Sequence, residues 1–281
     1  MINQQQKEMI VTELRLLSKK ESQNKIAKKA KVSTATISQM INSNWDLIRP
    51  EMWQKVKINL RIEWGWQTAE ISNLKIINDL LSAAQQRSMS ICVSHNAGAG
   101  KSHTYKLYER TYENIIYLEC KNYWTKKSYV KHLLTATGLD NHGTVEELID
   151  RLVNHIKTLN NPLVIIDQFD KLKDGSMDLF MDFYNELDGH CGFVLSGVPA
   201  LKKRIERGCQ HDKIGYRELK SRIGRKYIGL DQVTEKDVTA ICNANGVNDE
   251  QFINEIYNTC DGDLRRVRRS IEQYFLMQKS A

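Results

Sequence analysis

No apolar run in this 281-residue chain approaches the ~20 residues that a membrane-spanning helix requires. The first residues, Met1-Ile2-Asn3-Gln4-Gln5-Gln6, hold no apolar core of a secretion signal. Both absences predict a cytoplasmic protein with no membrane partner. The six cysteines (Cys92, Cys120, Cys191, Cys209, Cys242 and Cys260) include no C-x-x-C pair, which argues against a zinc site or a disulfide framework. Cys92 and Cys191 fall in or beside strand-like runs and read as small buried hydrophobes. Acidic residues are scarce at one end. Residues 1–64 hold 12 Lys/Arg against 6 Asp/Glu, whereas residues 65–281 hold 29 against 28. Most of the net charge of +7 therefore lies in the first 64 residues, which predicts a polyanionic partner for that part. A merely solvated basic face is the competing reading.

What is present is more specific. The apolar run 89–94 leads directly into Gly98-Ala99-Gly100-Lys101-Ser102. A glycine-rich turn between strand and helix leaves successive backbone N–H groups free to wrap a polyphosphate. The lysine then reaches the β- and γ-phosphates and the serine hydroxyl ligates Mg²⁺. The binding run is Asn96, Ala97, Gly98, Ala99, Gly100, Lys101, Ser102 and His103. About sixty residues on, Pro162-Leu163-Val164-Ile165-Ile166-Asp167 reads as a buried strand ending in an acid, the Walker B partner that holds the metal. ATP and Mg²⁺ are the expected ligands, with Ser102 and Asp167 on the metal.

In the N-terminal part, Ile26, Ala27 and Ala30 share one helical face, and Ile37, Met40 and Ile41 another. Lys31-Val32-Ser33 between them supplies a break, an apolar corner plug and an N-cap. Two short helices joined in this way form a helix-turn-helix unit, with an ordinary helical hairpin as the alternative. If the unit binds double-stranded DNA, Lys25, Lys28, Lys29 and Lys31 contact phosphates. Ser33, Thr34, Thr36, Ser38, Gln39 and Asn42 face the groove. The second helix has no Arg or Lys, so bidentate reading of guanine is missing and weak sequence selectivity is expected. A further helix is expected over 50–63, with Trp53 and Trp64 in the small core. Trp64-Gly65-Trp66-Gln67-Thr68 reads as a domain boundary, followed by an amphipathic helix through Ile71, Leu74, Ile77, Leu80 and Leu81.

Strand-like runs at 89–94, 114–119, 162–167, 191–197 and 225–230 alternate with helical stretches, which implies a parallel sheet flanked by helices. From Thr234 the pattern turns wholly helical. The expected fold is an α/β P-loop core with a helical lid, preceded by a small all-α domain. The expected division is 1–64 (helix-turn-helix), 65–230 (nucleotide-binding core) and 231–281 (lid). This order of parts resembles AAA+ ATPases.

More narrowly, the chain resembles the phage Mu B family of transposition target-selection ATPases. The resemblance lies in Val32-Ser33…Thr36-Ile37-Ser38…Ile41-Asn42, the P-loop, Leu163-Val164-Ile165-Ile166-Asp167, Ser221-Arg222-Ile223 and Asp263-Leu264-Arg265. It implies ATP-dependent DNA binding, a homo-oligomer forming a helical filament on DNA, and delivery of target DNA to an integrase-type transposase. It also implies catalytic roles for Lys101 and Asp167. Arg222 would be an arginine finger donated across a subunit interface, an effect worth ~10³–10⁵ in rate. Its alternatives are a structural salt bridge or Arg225 in the same role. Arg265 would be the sensor-2 arginine, although Arg266, Arg268 and Arg269 make a helix that could equally face DNA or solvent. A helicase-loader-like ATPase and a nucleotide-controlled transcriptional regulator are the competing functions.

Three positions depart from the pattern. His95 stands at the first P-loop glycine. Gln168 follows Asp167 where a water-activating glutamate is usual; an amide orients water but cannot take its proton, and loss of a general base typically costs ~10²–10⁴-fold. Slow hydrolysis is therefore expected, with Asp170 either a substitute or paired with a lysine. Val198 stands at the sensor-1 asparagine, leaving Ser196 as the nearest polar group. Finally, Lys121, Lys126, Lys127 and Lys131 surround Tyr123-Trp124. Basic residues beside aromatics suit a nucleic-acid backbone, with a solvated helix start as the alternative.

Overall fold

A computed structural model describes residues 2–62 and 65–280, with Lys279 and Ser280 described by backbone alone. Trp64 and the expected boundary at 64 lie outside the described residues. In chain order the helices α1 (Gln4–Ser18), α2 (Gln23–Ala30), α3 (Thr34–Ile41), α4 (Pro50–Asn59) and α5 (Ser72–Gln86) precede strand β1 (Ser90–Ser94). Then follow α6 (Lys101–Thr111), β2 (Ile115–Glu119), α7 (Lys126–Thr137), α8 (Val145–Lys157), β3 (Leu163–Asp167), α9 (Asp174–Met177) and α10 (Leu179–Leu187). The chain closes with β4 (Gly192–Gly197), α11 (Pro199–Gln210), α12 (Tyr216–Arg222), β5 (Tyr227–Ile228), α13 (Glu235–Ala244), α14 (Glu250–Cys260) and α15 (Leu264–Ser280).

The chain divides into two compact units, Met1–Trp66 with Thr125–His155, and Gln67–Trp124 with Ile156–Ala281. The sequence led to an expected division at 64 and 230 instead. Residues 125–155 sit in the sequence between two strands of the nucleotide core, yet α7 packs on α2. The fit is close: a Cβ on Gly138, at the end of α7, would lie 2.4 Å from the Lys25 side chain. This partner lies about a hundred residues away in the chain, beyond the reach of any local pattern.

The first unit is built on Ile10, Val11, Leu14, Ile26, Ala27, Ala30, Ile37, Met40, Trp53 and Val56, all buried. Such side chains contribute about 1.5–3 kcal/mol each relative to exposure. Ser22 caps α2 through Lys25 N–H, and Ser33 caps α3 through Thr36 N–H. Between them Lys31 takes a left-handed conformation and Val32 N–H bonds back to Ala27 O at 3.0 Å, closing α2 in the manner of a Schellman turn. The expected helix over 50–63 ends at Asn59, because Arg61 turns left-handed and Ile62 folds back into the core.

The second unit contains the sheet, in the order β2-β3-β4-β1-β5 with every pair parallel. β4 therefore separates the strand that enters the P-loop from the strand that ends in Asp167. Register pairs Ser94 with Gly197 and Glu119 with Asp167, so four strand ends share one edge, where ligands of parallel sheets bind. α5 crosses so close to β4 that a Cβ on Gly192 would lie 2.3 Å from Ala84 O. The cysteines are free, five of them buried, and burial lifts the Cys92 thiol to about 12. Among the described residues no helix is long and apolar enough to cross a membrane.

Burial lowers the pKa of three histidines. His95 is lowered by burial and Lys101, His132 by burial and Lys31, and His155 by burial and Lys25. A lowered histidine leaves the unfolded chain holding more protons than the folded one below the ordinary value of ~6.5. Stability is then fully present above that pH and is lost as pH falls. We expect the melting temperature to drop between pH 7 and pH 5, and less steeply in His132→Phe. A flat profile over that range would refute the assignment.

Candidate nucleotide site

The phosphate cradle forms where β1 runs into α6. Gly98 and Gly100 adopt φ of +86° and +88°, a region that L side chains avoid. Their N–H groups, with the start of α6, form an anion-binding concavity. Lys101 is buried, and its ammonium group donates to His95 O and Asn96 O, both at 2.7 Å. Burial lowers its pKa, opposed by Asp167 and Asp170. A lysine folded onto loop carbonyls is poised to exchange them for phosphate oxygens. Asn96 and Ala97 are exposed at the mouth of the loop, and His103 bonds Thr68 Oγ1 at 2.9 Å.

Ser102 Oγ lies 2.5 Å from Asp167 Oδ2, which also accepts from Tyr117 OH at 3.2 Å. Asp167 is 1% exposed, so its charge is compensated by fixed hydrogen bonds rather than by water. One hydroxyl and one carboxylate converging beside a phosphate cradle suit Mg²⁺, which takes few protein ligands and completes its shell with phosphate and water. No group of three or more His, Cys, Asp or Glu able to hold a metal occurs among the described residues.

The three departures now have physical consequences. His95 Nδ1 accepts from Leu230 N–H at 3.2 Å. The imidazole thus replaces a glycine by bonding the P-loop strand to the chain beyond β5, and its lowered pKa keeps that acceptor neutral. Gln168 is left-handed, with φ +55°, and its N–H turns back to Asp167 Oδ1 at 2.9 Å. Its side-chain amide oxygen accepts from Lys171, and its amide NH₂ donates to Glu119 Oε1 at 3.1 Å. Asp170 is not paired with a lysine as the sequence suggested; its Oδ1 accepts from Val198 N–H at 3.4 Å. Ser196 is fully buried in β4, so the alternative to a sensor-1 asparagine is closed to solvent.

The lid reaches the cradle directly. Leu264 N–H donates to Gly98 O at 3.0 Å, and a Cβ on Gly98 would lie 2.2 Å from Asp263 Oδ1. Arg265 grips Asp263 through two side-chain nitrogens, the shorter contact at 2.7 Å, and holds that carboxyl below its ordinary value. A carboxylate over a phosphate cradle opposes anion binding. Asp263→Asn removes the charge while keeping an acceptor for the Arg265 N–H. We expect ATP to bind at least about fivefold tighter, since like charges ~4 Å apart repel by ~1 kcal/mol even in water. Unchanged affinity in calorimetry would refute it.

The remaining expected residues are placed as follows. Arg222, at the end of α12, stacks 5.0 Å from the Tyr184 ring and lies 3.7 Å from Glu218. It is exposed and makes no bond to the P-loop among the described residues. Lys29 pairs with Glu21 at 2.8 Å and Lys25 with the same carboxylate at 3.5 Å, which leaves Lys28 and Lys31 as the exposed cations of that turn. On α3, Thr34 is exposed and Thr36 and Gln39 half-buried. The basic–aromatic cluster does not assemble as expected: Trp124 is buried and Lys121 pairs with Glu119 at 2.8 Å. Lys126 and Lys127 are exposed on the first turn of α7. Two features escaped the sequence. One is Glu119. The other is a hollow of about 450 Å³ on α11 and α12, lined by Lys203, Arg204, Arg207, His211, Lys213 and Tyr216.

Comparison with known proteins agrees with this geometry. Residues 84–205 match the AAA domain family, a span that contains β1, the P-loop, β2, β3 and β4. No curated protein matches the chain. Among solved structures, a chain from "Structure of Drosophila ORC bound to DNA" is similar, with 16% identity and a TM-score of 0.46. The alignment covers 73% of this chain and 55% of that one, so this chain spans little more than half of that relative's length. The five-stranded parallel sheet, the two P-loop glycines and the Ser102–Asp167 pair fit an α/β core of the AAA+ P-loop type, to whose AAA domain family residues 84–205 are similar.

Proposed function

We propose that this protein is an ATP-dependent DNA-binding ATPase that assembles on target DNA and hands it to a partner transposase, as the Mu B resemblance implies. The observation that carries the nucleotide half is the 2.5 Å approach of Ser102 Oγ to Asp167 Oδ2 beside the Gly98–Gly100 cradle. In this reading Lys101 leaves the carbonyls of His95 and Asn96 for the β- and γ-phosphates, and Ser102 and Asp167 hold Mg²⁺. The metal, when bound, neutralises charge that develops on the phosphates. Arg265 exchanges Asp263 for the γ-phosphate, so that ATP changes how the lid sits on the P-loop. Hydrolysis then releases the lid and ends the DNA-bound state.

For the DNA half, α2, the turn at 31–33 and α3 support a helix-turn-helix reading. Exposed Lys28 and Lys31 fit phosphates, Thr34, Thr36 and Gln39 fit the groove, and Lys126 and Lys127 add cations from α7. Lys25 and Lys29 contribute only if they leave Glu21. The absence of Arg and Lys from α3 supports binding with little sequence preference. Fluorescence anisotropy with random duplexes tests the proposal. Binding should require ATP, tighten with duplex length and weaken steeply with salt. Lys28→Glu with Lys31→Glu should lower affinity at least tenfold and flatten the salt slope. Nucleotide-independent binding to one palindrome would favour the transcriptional regulator instead.

A further inference from the structure

Gln168 cannot remove a proton from water, yet the same edge of the sheet offers a carboxylate that can. Glu119 ends β2 and lies in register with Asp167 at the end of β3. Its Oε1 accepts from Gln168 Nε2 at 3.1 Å and from Lys121 Nζ at 2.8 Å, and Lys106 Nζ is 3.7 Å from Oε2. The amide of Gln168 has its orientation fixed by chemistry. Lys171 can only donate, so it takes the amide oxygen, and the carboxylate can only accept, so it takes the nitrogen. The left-handed backbone at Gln168 is a strained conformation of the kind held at functional sites. Here it accompanies a side chain that joins the two strand ends.

The other acids are committed. Asp167 is buried against Ser102 and Tyr117, and Asp170 is turned to Val198 N–H. Glu119 is 21% exposed, within reach of water at the strand edge. We propose that Glu119 is the water-activating carboxylate of this site and that Gln168 is its positioning residue. The inference rests on the reading of the site as an ATPase. In the step, the oxygen of water forms a bond to the γ-phosphorus as the bond from that phosphorus to the bridging oxygen breaks. The electron pair of the broken bond leaves with ADP, and the proton of the attacking water passes to Glu119 and from there to solvent. Gln168 was one of three departures behind the expectation of slow turnover, and Glu119 as the base removes that one.

The test uses the full-length protein with radiolabelled ATP and a separate binding measurement. Glu119→Gln should lower kcat by ~10²–10⁴-fold with the Kd for ATP changed less than threefold, so that intact ATP accumulates on the protein. Adding Gln168→Glu to Glu119→Gln should restore at least tenfold of the lost rate by placing the acid on β3. A Glu119→Gln protein that binds ATP and hydrolyses it within threefold of wild type overturns the proposal. So does rescue through charge balance: if Glu119→Gln is rescued by Lys121→Gln, which removes the unpaired cation, rather than by Gln168→Glu, the glutamate is structural. Failure of the wild-type protein to bind ATP would instead overturn the ATPase reading and this one with it.

Discussion

Replacing Arg222 with alanine lowers ATP hydrolysis by the DNA-assembled protein ~10³–10⁵-fold, the range for loss of an arginine finger, and leaves ATP binding by the free protein unchanged. The reason lies in where the side chain stands. It is exposed on the last turn of α12, resting on Tyr184 and near Glu218, with no bond to its own P-loop among the described residues. In the proposed reading, a cation so placed acts on the nucleotide of a neighbouring copy. The cation–π contact and the i,i+4 pair are each worth ~0.3–1 kcal/mol at an exposed site, small enough for a γ-phosphate to displace. Two controls separate this from a salt-bridge role. Glu218→Ala should leave turnover within threefold, and Arg225→Ala should cost far less than Arg222→Ala. Equal loss of ATP binding by the free Arg222→Ala protein would place the arginine in its own site.

Lys101→Ala is the second large effect. Leaving a buried charge without its partner costs ~3–5 kcal/mol, so ATP affinity should fall ~10²–10³-fold. Any assembly that depends on ATP should disappear. The fold should persist, because the bonds lost in the absence of nucleotide are two donations to loop carbonyls that face the mouth of the site. Calorimetry should therefore show no ATP binding at micromolar protein, with a melting temperature within a few degrees of wild type. Retained affinity would mean that the glycine cradle alone binds the phosphates.

What could be read from the sequence follows from the range of the interactions. The five strands are continuous apolar runs because a parallel sheet is covered on both faces, and each expected run contains the observed strand. The P-loop and Asp167 were legible for the same reason: each is a local pattern with a local conformation. The cap on α3 was marked by Ser33. Glu119 was not legible. An acid that ends a strand is ordinary in sequence, and its meaning comes from the register of β2 on β3, fixed by residues about fifty positions apart. The same holds for Asp263 over Gly98, separated by more than 160 residues. The lysines near Tyr123 and Trp124 looked like one cluster because sequence proximity hides direction. Trp124 turns inward and Lys121 turns to Glu119.

Glu119 and Asp263 also alter how the switch is understood. With only Gln168 after Asp167, nucleotide state would persist because chemistry is slow. With Glu119 as the base, the proposed reading sets the lifetime of the ATP state by delivery of Arg222 from a neighbour and by exchange of Arg265 between Asp263 and phosphate. Assembly and hydrolysis are then coupled through the subunit contact rather than through a deficient site.

The most direct measurement is electron microscopy of the purified protein with random-sequence duplex DNA in ATP, in ADP and without nucleotide, with Lys101→Ala alongside. The account predicts continuous protein filaments on the DNA in ATP alone, and none in any condition with the variant. Filaments that form equally in ADP or with Lys101→Ala would contradict it, as would discrete particles at one DNA sequence.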